Sequence, residues 1–217
     1  MKGPLPRVSA TGALAVIATA ACATATRQSS SPAVPASPAG QAWADGRAPY
    51  TAVDVRFMSG MIYHHAQAVL MAGWAPTHDA SPSLRALCER IVVAQRDEIA
   101  LMQRWLRDRH ETVPPADPGG HTMPGMDHPM LMPGMLTPEQ MARLDSARGL
   151  AFDRLFLRFM IQHHQGAITM VDELFGQGAG EEETVFRFAS DVYADQTTEI
   201  DRMQRMLAAL LFEGRGQ

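Results

Sequence analysis

Asp54-Val55-Arg56-Phe57-Met58-Ser59-Gly60-Met61-Ile62-Tyr63-His64-His65-Ala66-Gln67-Ala68-Val69-Leu70-Met71 recurs 99 residues later as Asp153 to Met170. The two stretches share Asp54/Asp153, Phe57/Phe156, Met61/Met160, Ile62/Ile161, His64/His163, His65/His164, Ala68/Ala167 and Met71/Met170. A second match, offset by 101, lays Gln95-x-x-Glu98-Ile99-x-x-Met102-Gln103 on Gln196-x-x-Glu199-Ile200-x-x-Met203-Gln204. The chain therefore carries an internal duplication, with a small insertion in the second copy. Positions 54, 57, 61, 64, 68 and 71 advance by three and four, which marks one face of a helix and fits no strand.

Helix ends are also written in the residues. Pro76 stops the first helix. Ser81-Pro82 opens a second, an N-cap with proline at the first helical position, running to about Arg109. Thr137-Pro138-Glu139-Gln140 opens a third with a capping-box Gln; it extends to about Phe175 with a bend near Gly149. Gly176 to Gly180 separates it from a fourth, about Glu181 to Phe212. Four long helices without a strand pattern predict an all-α fold, a ferritin-like four-helix bundle of two duplicated hairpins over residues 50–213.

Composition narrows the function. Among 217 residues, Lys plus Arg is 19 and Asp plus Glu is 23, so no basic field exists for a nucleic-acid partner. Two cysteines, Cys22 and Cys88, cannot form a disulfide scaffold or a Cys-rich zinc module. Cys88 aligns with Ala189 and reads as a small buried residue. Methionine, at 15, is the unusual entry in the composition, beside 8 histidines.

The first residues read as an address. Lys2 and Arg7 precede a short run of small and apolar residues from Val8 to Ala21, which predicts an export signal over 1–21. Thr19-Ala20-Ala21-Cys22 resembles a bacterial lipoprotein box, with Thr where that pattern prefers Leu, and implies lipidation of Cys22. Cleavage after Ala20 or Ala25 would instead release a soluble protein. Residues 22–49, rich in Ser, Pro and Ala, read as a tether. The expected location is outside the cytoplasm, in the periplasm or on the outer cell surface, with the membrane touched only through a lipid anchor.

The hairpins are joined by a Met-rich loop, 110–136, in which Met-Pro-Gly-Met occurs twice: Met123, Met126, His128, Met130, Met132 and Met135. Thioether sulfur is a soft, neutral ligand that suits Cu(I), and imidazole suits both copper states. The competing reading, methionine as an adaptable core filler, fits a Pro/Gly-rich loop poorly. On the helices, Met61 lies within reach of both His64 and His65, and Met160 of His163 and His164. Met71 lies seven residues beyond His64 and belongs to another layer. Met58 is matched by Leu157, so two sites would not be equivalent. The two pairs can share one central site or form two peripheral ones. Ordinary core histidines held by Gln95, Glu98, Gln196 and Glu199 are the plain alternative. Glu98 and Glu199, with Met102 and Met203 one turn on, read as ligands, as supporting acceptors or as surface carboxylates. Asp54 and Asp153 read either as orienters like the two glutamates or, the preferred reading, as first-turn acids favoured by the helix dipole.

These repeated motifs, Phe-x-x-x-Met-Ile-x-His-His-x-x-Ala-x-x-Met with the following Gln-x-x-Glu-Ile, resemble the bacterial family called domain of unknown function 305. The resemblance spans about Asp54 to Leu207. It implies a ferritin-like bundle, copper as the bound metal, and a metal role for Met61, His64, His65, Met71, Met160, His163, His164 and Met170. The expected protein is an exported copper-binding one, a chaperone or sequestrant rather than an enzyme, which hands its ion to another envelope copper protein. Two alternatives compete: a di-metal oxidase, whose usual Glu-x-x-His is absent from the chain, and a haem electron carrier, for which no Cys-x-x-Cys-His exists.

Overall fold

The structure, a computed structural model, describes Gly3 and residues 49–118 and 131–213. The chain divides into two units, Met1–Pro35 and Ala36–Gln217. Of the first only Gly3 is described, and all the described helices belong to the second. The export signal, Cys22, the tether up to residue 48, and Met123, Met126, His128 and Met130 lie outside the described residues.

The described residues are all-helical, with no strand among them: α1 (Ala52–Gly73), α2 (Pro82–Asp108), α3 (Pro138–Ser146), α4 (Gly149–Gly176) and α5 (Glu183–Glu213). None is long and apolar enough to cross a membrane. α1 packs along α2 and α4 along α5, and the two hairpins meet through α1 and α4. α1 is accordingly buried on several faces, as expected of a helix with apolar residues nearly all round. Thr51 caps α1 in a reciprocal capping box with Asp54, and Ser81 caps α2 by accepting the Leu84 N–H.

The third predicted helix is two. Ala147 and Arg148 are extended and Gly149 sits at φ +54°, so α3 ends and α4 restarts at a new angle. The Gly149 N–H donates to the His78 carbonyl at 2.9 Å. The His78 ring stacks on Trp74 and lies 2.8 Å, through Nε2, from the Asp145 carbonyl. Helical periodicity continues across this junction, so a bend is all that the pattern reveals.

The repeated aspartates are buried ties, not simple first-turn acids. Asp54, besides capping its own helix, accepts the Gly180 N–H at 2.7 Å. Asp153, a full turn inside α4, accepts the Ser81 N–H at 3.3 Å. Ser81 and Gly180 are themselves 99 residues apart, so each aspartate holds the entry to the second helix of the other copy. A carboxylate accepting buried N–H groups makes a strong hydrogen bond, and the two ties fix the hairpins reciprocally.

Candidate metal centre

Placing α1 against α4 brings the His64 and His163 rings together, with centroids 3.8 Å apart and planes tilted by 40°. Their neighbours turn outward: His65 Nε2 lies 2.7 Å from Glu98 Oε2, and His164 Nε2 lies 2.7 Å from Glu199 Oε2. The four rings are fully buried, while the two carboxylates keep 21% of their side-chain surface exposed. The result is one layer, with a central imidazole pair and a carboxylate behind each outer ring.

The partners also fix which nitrogen is free. A carbonyl oxygen only accepts, so the contact from His64 Nε2 to the Pro133 carbonyl, 3.0 Å, places an N–H there. A neutral ring then presents Nδ1 as a bare lone pair. His164, donating through Nε2 to Glu199, has the same orientation. His65 meets Glu98 at close range but outside hydrogen-bond angles. Among the four histidines, the buried nitrogens without a hydrogen-bond partner are Nδ1 of His64 and His164 and both nitrogens of His65 and His163. Native interiors rarely leave polar atoms so, at a cost of roughly 1–3 kcal/mol each. An imidazole anchored through Nε2 with a free Nδ1 is the arrangement a metal-binding histidine needs. Burial, then the charge of His65, pushes His64 down to about 3, against the opposing bond to Pro133. Burial, then the charge of His64, holds His163 well below the ordinary imidazole range. Both rings stay neutral and available as donors near pH 7.

Gln95 Oε1 and both amide atoms of Gln196 are buried without hydrogen-bond partners, while Glu98 and Glu199 stand 2.7 Å from the outer rings. Methionines lie on both sides of the histidine layer. Met58, Met61, Met102 and Met170 belong to one buried apolar cluster, and Met71, Met160 and Met203 to the other. Each cluster thus takes its late methionine from the opposite copy: Met170 joins Met61, and Met71 joins Met160. Among the described residues no three His, Cys, Asp or Glu side chains form a ready metal cluster. A metal shell here requires thioethers beside imidazole. Cys88 does not supply a thiolate, because burial, then the Asp153 charge, pushes its thiol up to about 12.

The end of the Met-rich loop is seated, which corrects the expectation that it has no core to fill. Met135 and Leu136 are buried, and Met132 packs against the first cluster. The Met135 N–H closes a turn on the Met132 carbonyl, with Pro133 and a left-handed Gly134 (φ +75°) at its corners. Gln67 clasps Leu136 from both sides, donating to its carbonyl and accepting its N–H at 2.7 Å. Gln162 donates to the Gly134 carbonyl. Gly166 gives the turn its room, since a Cβ there would overlap the Pro133 carbonyl. Gly166→Ala is therefore expected to cost about 1–3 kcal/mol and to detach His64 from Pro133. A lower denaturant midpoint with loss of the hydrogen-bonded His64 Nε2–H resonance would show it; an unchanged resonance would contradict it. Gln67, Gln162, Gly166 and His78 escaped the sequence reading, although Gln67 and Gly166 stand at equivalent, differing positions of the two copies.

The family described as domain of unknown function (DUF305) matches residues 54–207. Among solved structures, a DUF305 fragment from Deinococcus radiodurans is 30% identical with a TM-score of 0.62, covering 74% of this chain and 99% of that one. A DUF305 protein of Streptomyces coelicolor described as secreted is 26% identical, TM-score 0.61, over 73% of this chain and 92% of that one. CopM in the Cu(II)-bound form is 29% identical, TM-score 0.57, over 72% of this chain and 96% of that one; CopM is also solved bound to Cu(I). Uncharacterized protein L153 of Acanthamoeba polyphaga mimivirus is 32% identical over 56 residues, 26% of this chain. The match spans 37% of the length of that curated relative.

Proposed function

The chain belongs to the DUF305 family, and from that premise we propose that it is an exported copper-binding protein that sequesters or passes on Cu(I) in the cell envelope. One observation carries the reading: a buried layer of four histidines whose Nδ1 atoms lack hydrogen-bond partners, set between two clusters rich in methionine. Neutral thioethers and neutral imidazoles suit a soft monovalent ion, for which no proton has to be lost from sulfur. The donors would be His64, His65, His163 and His164 with Met61 and Met160, while Glu98 and Glu199 orient the outer rings. Copper is cargo here, and the protein binds it without catalysis. The solved CopM complexes with Cu(I) and Cu(II) support the choice of metal.

In this reading the helices form a ferritin-like four-helix bundle of two hairpins, which α1 and α4 close around the histidine layer. The export signal and the tether carry the bundle outside the cytoplasm, with Cys22 as its lipid anchor, and the secreted Streptomyces relative supports export. Another envelope copper protein receives the ion. Titration of the purified protein with Cu(I) against a competing chelator tests the function. The wild type should strip copper from the chelator, and the His64→Ala, His163→Ala double variant should fall at least tenfold short in affinity, on the order of what metal-site changes cost. Equal uptake by both proteins would sink the assignment.

A further inference from the structure

The duplication is broken most visibly at Gly60, whose counterpart 99 residues on is Phe159. A Cβ at Gly60 would stand 3.0 Å from Met132 Sδ and 3.6 Å from Met170 Cε, so two thioether side chains converge on the space this glycine leaves. That space belongs to a half-open cavity of about 200 Å³ lined also by Pro133, with exposed Arg56 and Glu173 beside it. Met61, Met71, Met102, Met160 and Met203 are sealed at 0% exposure, whereas Met170 and Met132 keep some surface. We propose that Met132 and Met170, meeting over Gly60, form a one-sided thioether site that takes a soft monovalent ion at the surface of the protein.

Three features argue for a built site. Met132 is held in place by the turn it opens, which Gln67, Gln162 and Gly166 anchor. Methionine is unbranched, so small rotamer changes carry both sulfurs toward one ion. The second copy cannot reproduce the site: Phe159 replaces Gly60, and Met71, the counterpart of Met170, is closed off from solvent. Two neutral sulfurs select Cu(I) or Ag(I) over harder divalent ions, and Glu173 balances Arg56 at the mouth. Pro133 lines the same cavity and accepts the His64 Nε2–H, so the surface site and the histidine layer share a residue. Ion association here breaks no covalent bond and changes no oxidation state. The physiological ion, Cu(I), rests on the function proposed above; the site itself rests on the two thioether side chains that meet over Gly60.

Titrating the full-length protein, labelled with 13C at the methionine methyl groups and with 15N in the histidine rings, with Ag(I) tests the site. The Met132 and Met170 methyl signals should move together, and the Met132→Leu variant should lose the Met170 shift while the histidine signals still respond. Gly60→Val, which keeps both methionines in the chain but puts a side chain into the space where they meet, should likewise lose the paired shift. A Met170 response that survives both substitutions, or histidine signals that move while Met132 and Met170 stay still, overturns the site and leaves the copper function standing. Silence from every methionine and histidine overturns both.

Discussion

Acidifying the metal-free protein from pH 7 to pH 5 is expected to lower its unfolding free energy by about 2 kcal/mol through His64, with His163 adding in the same direction. His64 and His163 are buried and neutral in the folded state, with His64 held down to about 3 and His163 also well below the ordinary range. Released by unfolding, each ring regains its ordinary value near 6.5 and takes up a proton below it. The unfolded state thus binds more protons, and stability rises with pH through this window. Full stability holds above about pH 6.5, and His64 removes about 1.4 kcal/mol per pH unit below it until it protonates in the fold near pH 3. Reversible denaturant unfolding of chelator-treated protein across this range measures the slope. A flat profile would mean that these rings titrate normally in the fold.

Cu(I) is expected to act in the opposite direction. Free ion at about a thousand times its dissociation constant stabilises a protein that binds it only when folded by roughly 4 kcal/mol. For a domain of this length that is a rise in Tm of roughly 10 °C. The His64→Ala, His163→Ala double variant, at least tenfold weaker in affinity, should gain at least about 1.4 kcal/mol less from the ion and show a correspondingly smaller rise in Tm. Thermal scans at matched protein and chelator concentrations provide the check, and equal shifts in both proteins would remove the histidine layer from the account.

Much of this was legible because the chain repeats itself. Helical spacing and the capping residues Ser81 and Thr137 marked where two of the helices begin, and the doubled His-His placed two imidazole pairs at matching heights. That Asp54 and Asp153 reach the other copy was hidden, since a first-turn acid and a long-range tie look alike in sequence. The α3–α4 break was hidden too: its cause is a hydrogen bond from Gly149 to His78, far away along the chain. Spacing showed that Met71 lies in a different layer from His64, but not that it joins Met160 and Met203. The seat of the Met-rich loop had the faintest trace. Gln67 against Gly166 and Gly60 against Phe159 are merely mismatches of the repeat until the loop is seen lying across them.

X-ray absorption at the copper edge of Cu(I)-loaded protein, taken up at one ion per chain or fewer, reads the donor atoms directly. The account predicts a mixed shell, with imidazole nitrogen and thioether sulfur around one ion. A shell of oxygen and nitrogen without sulfur, or copper that washes away, would contradict it.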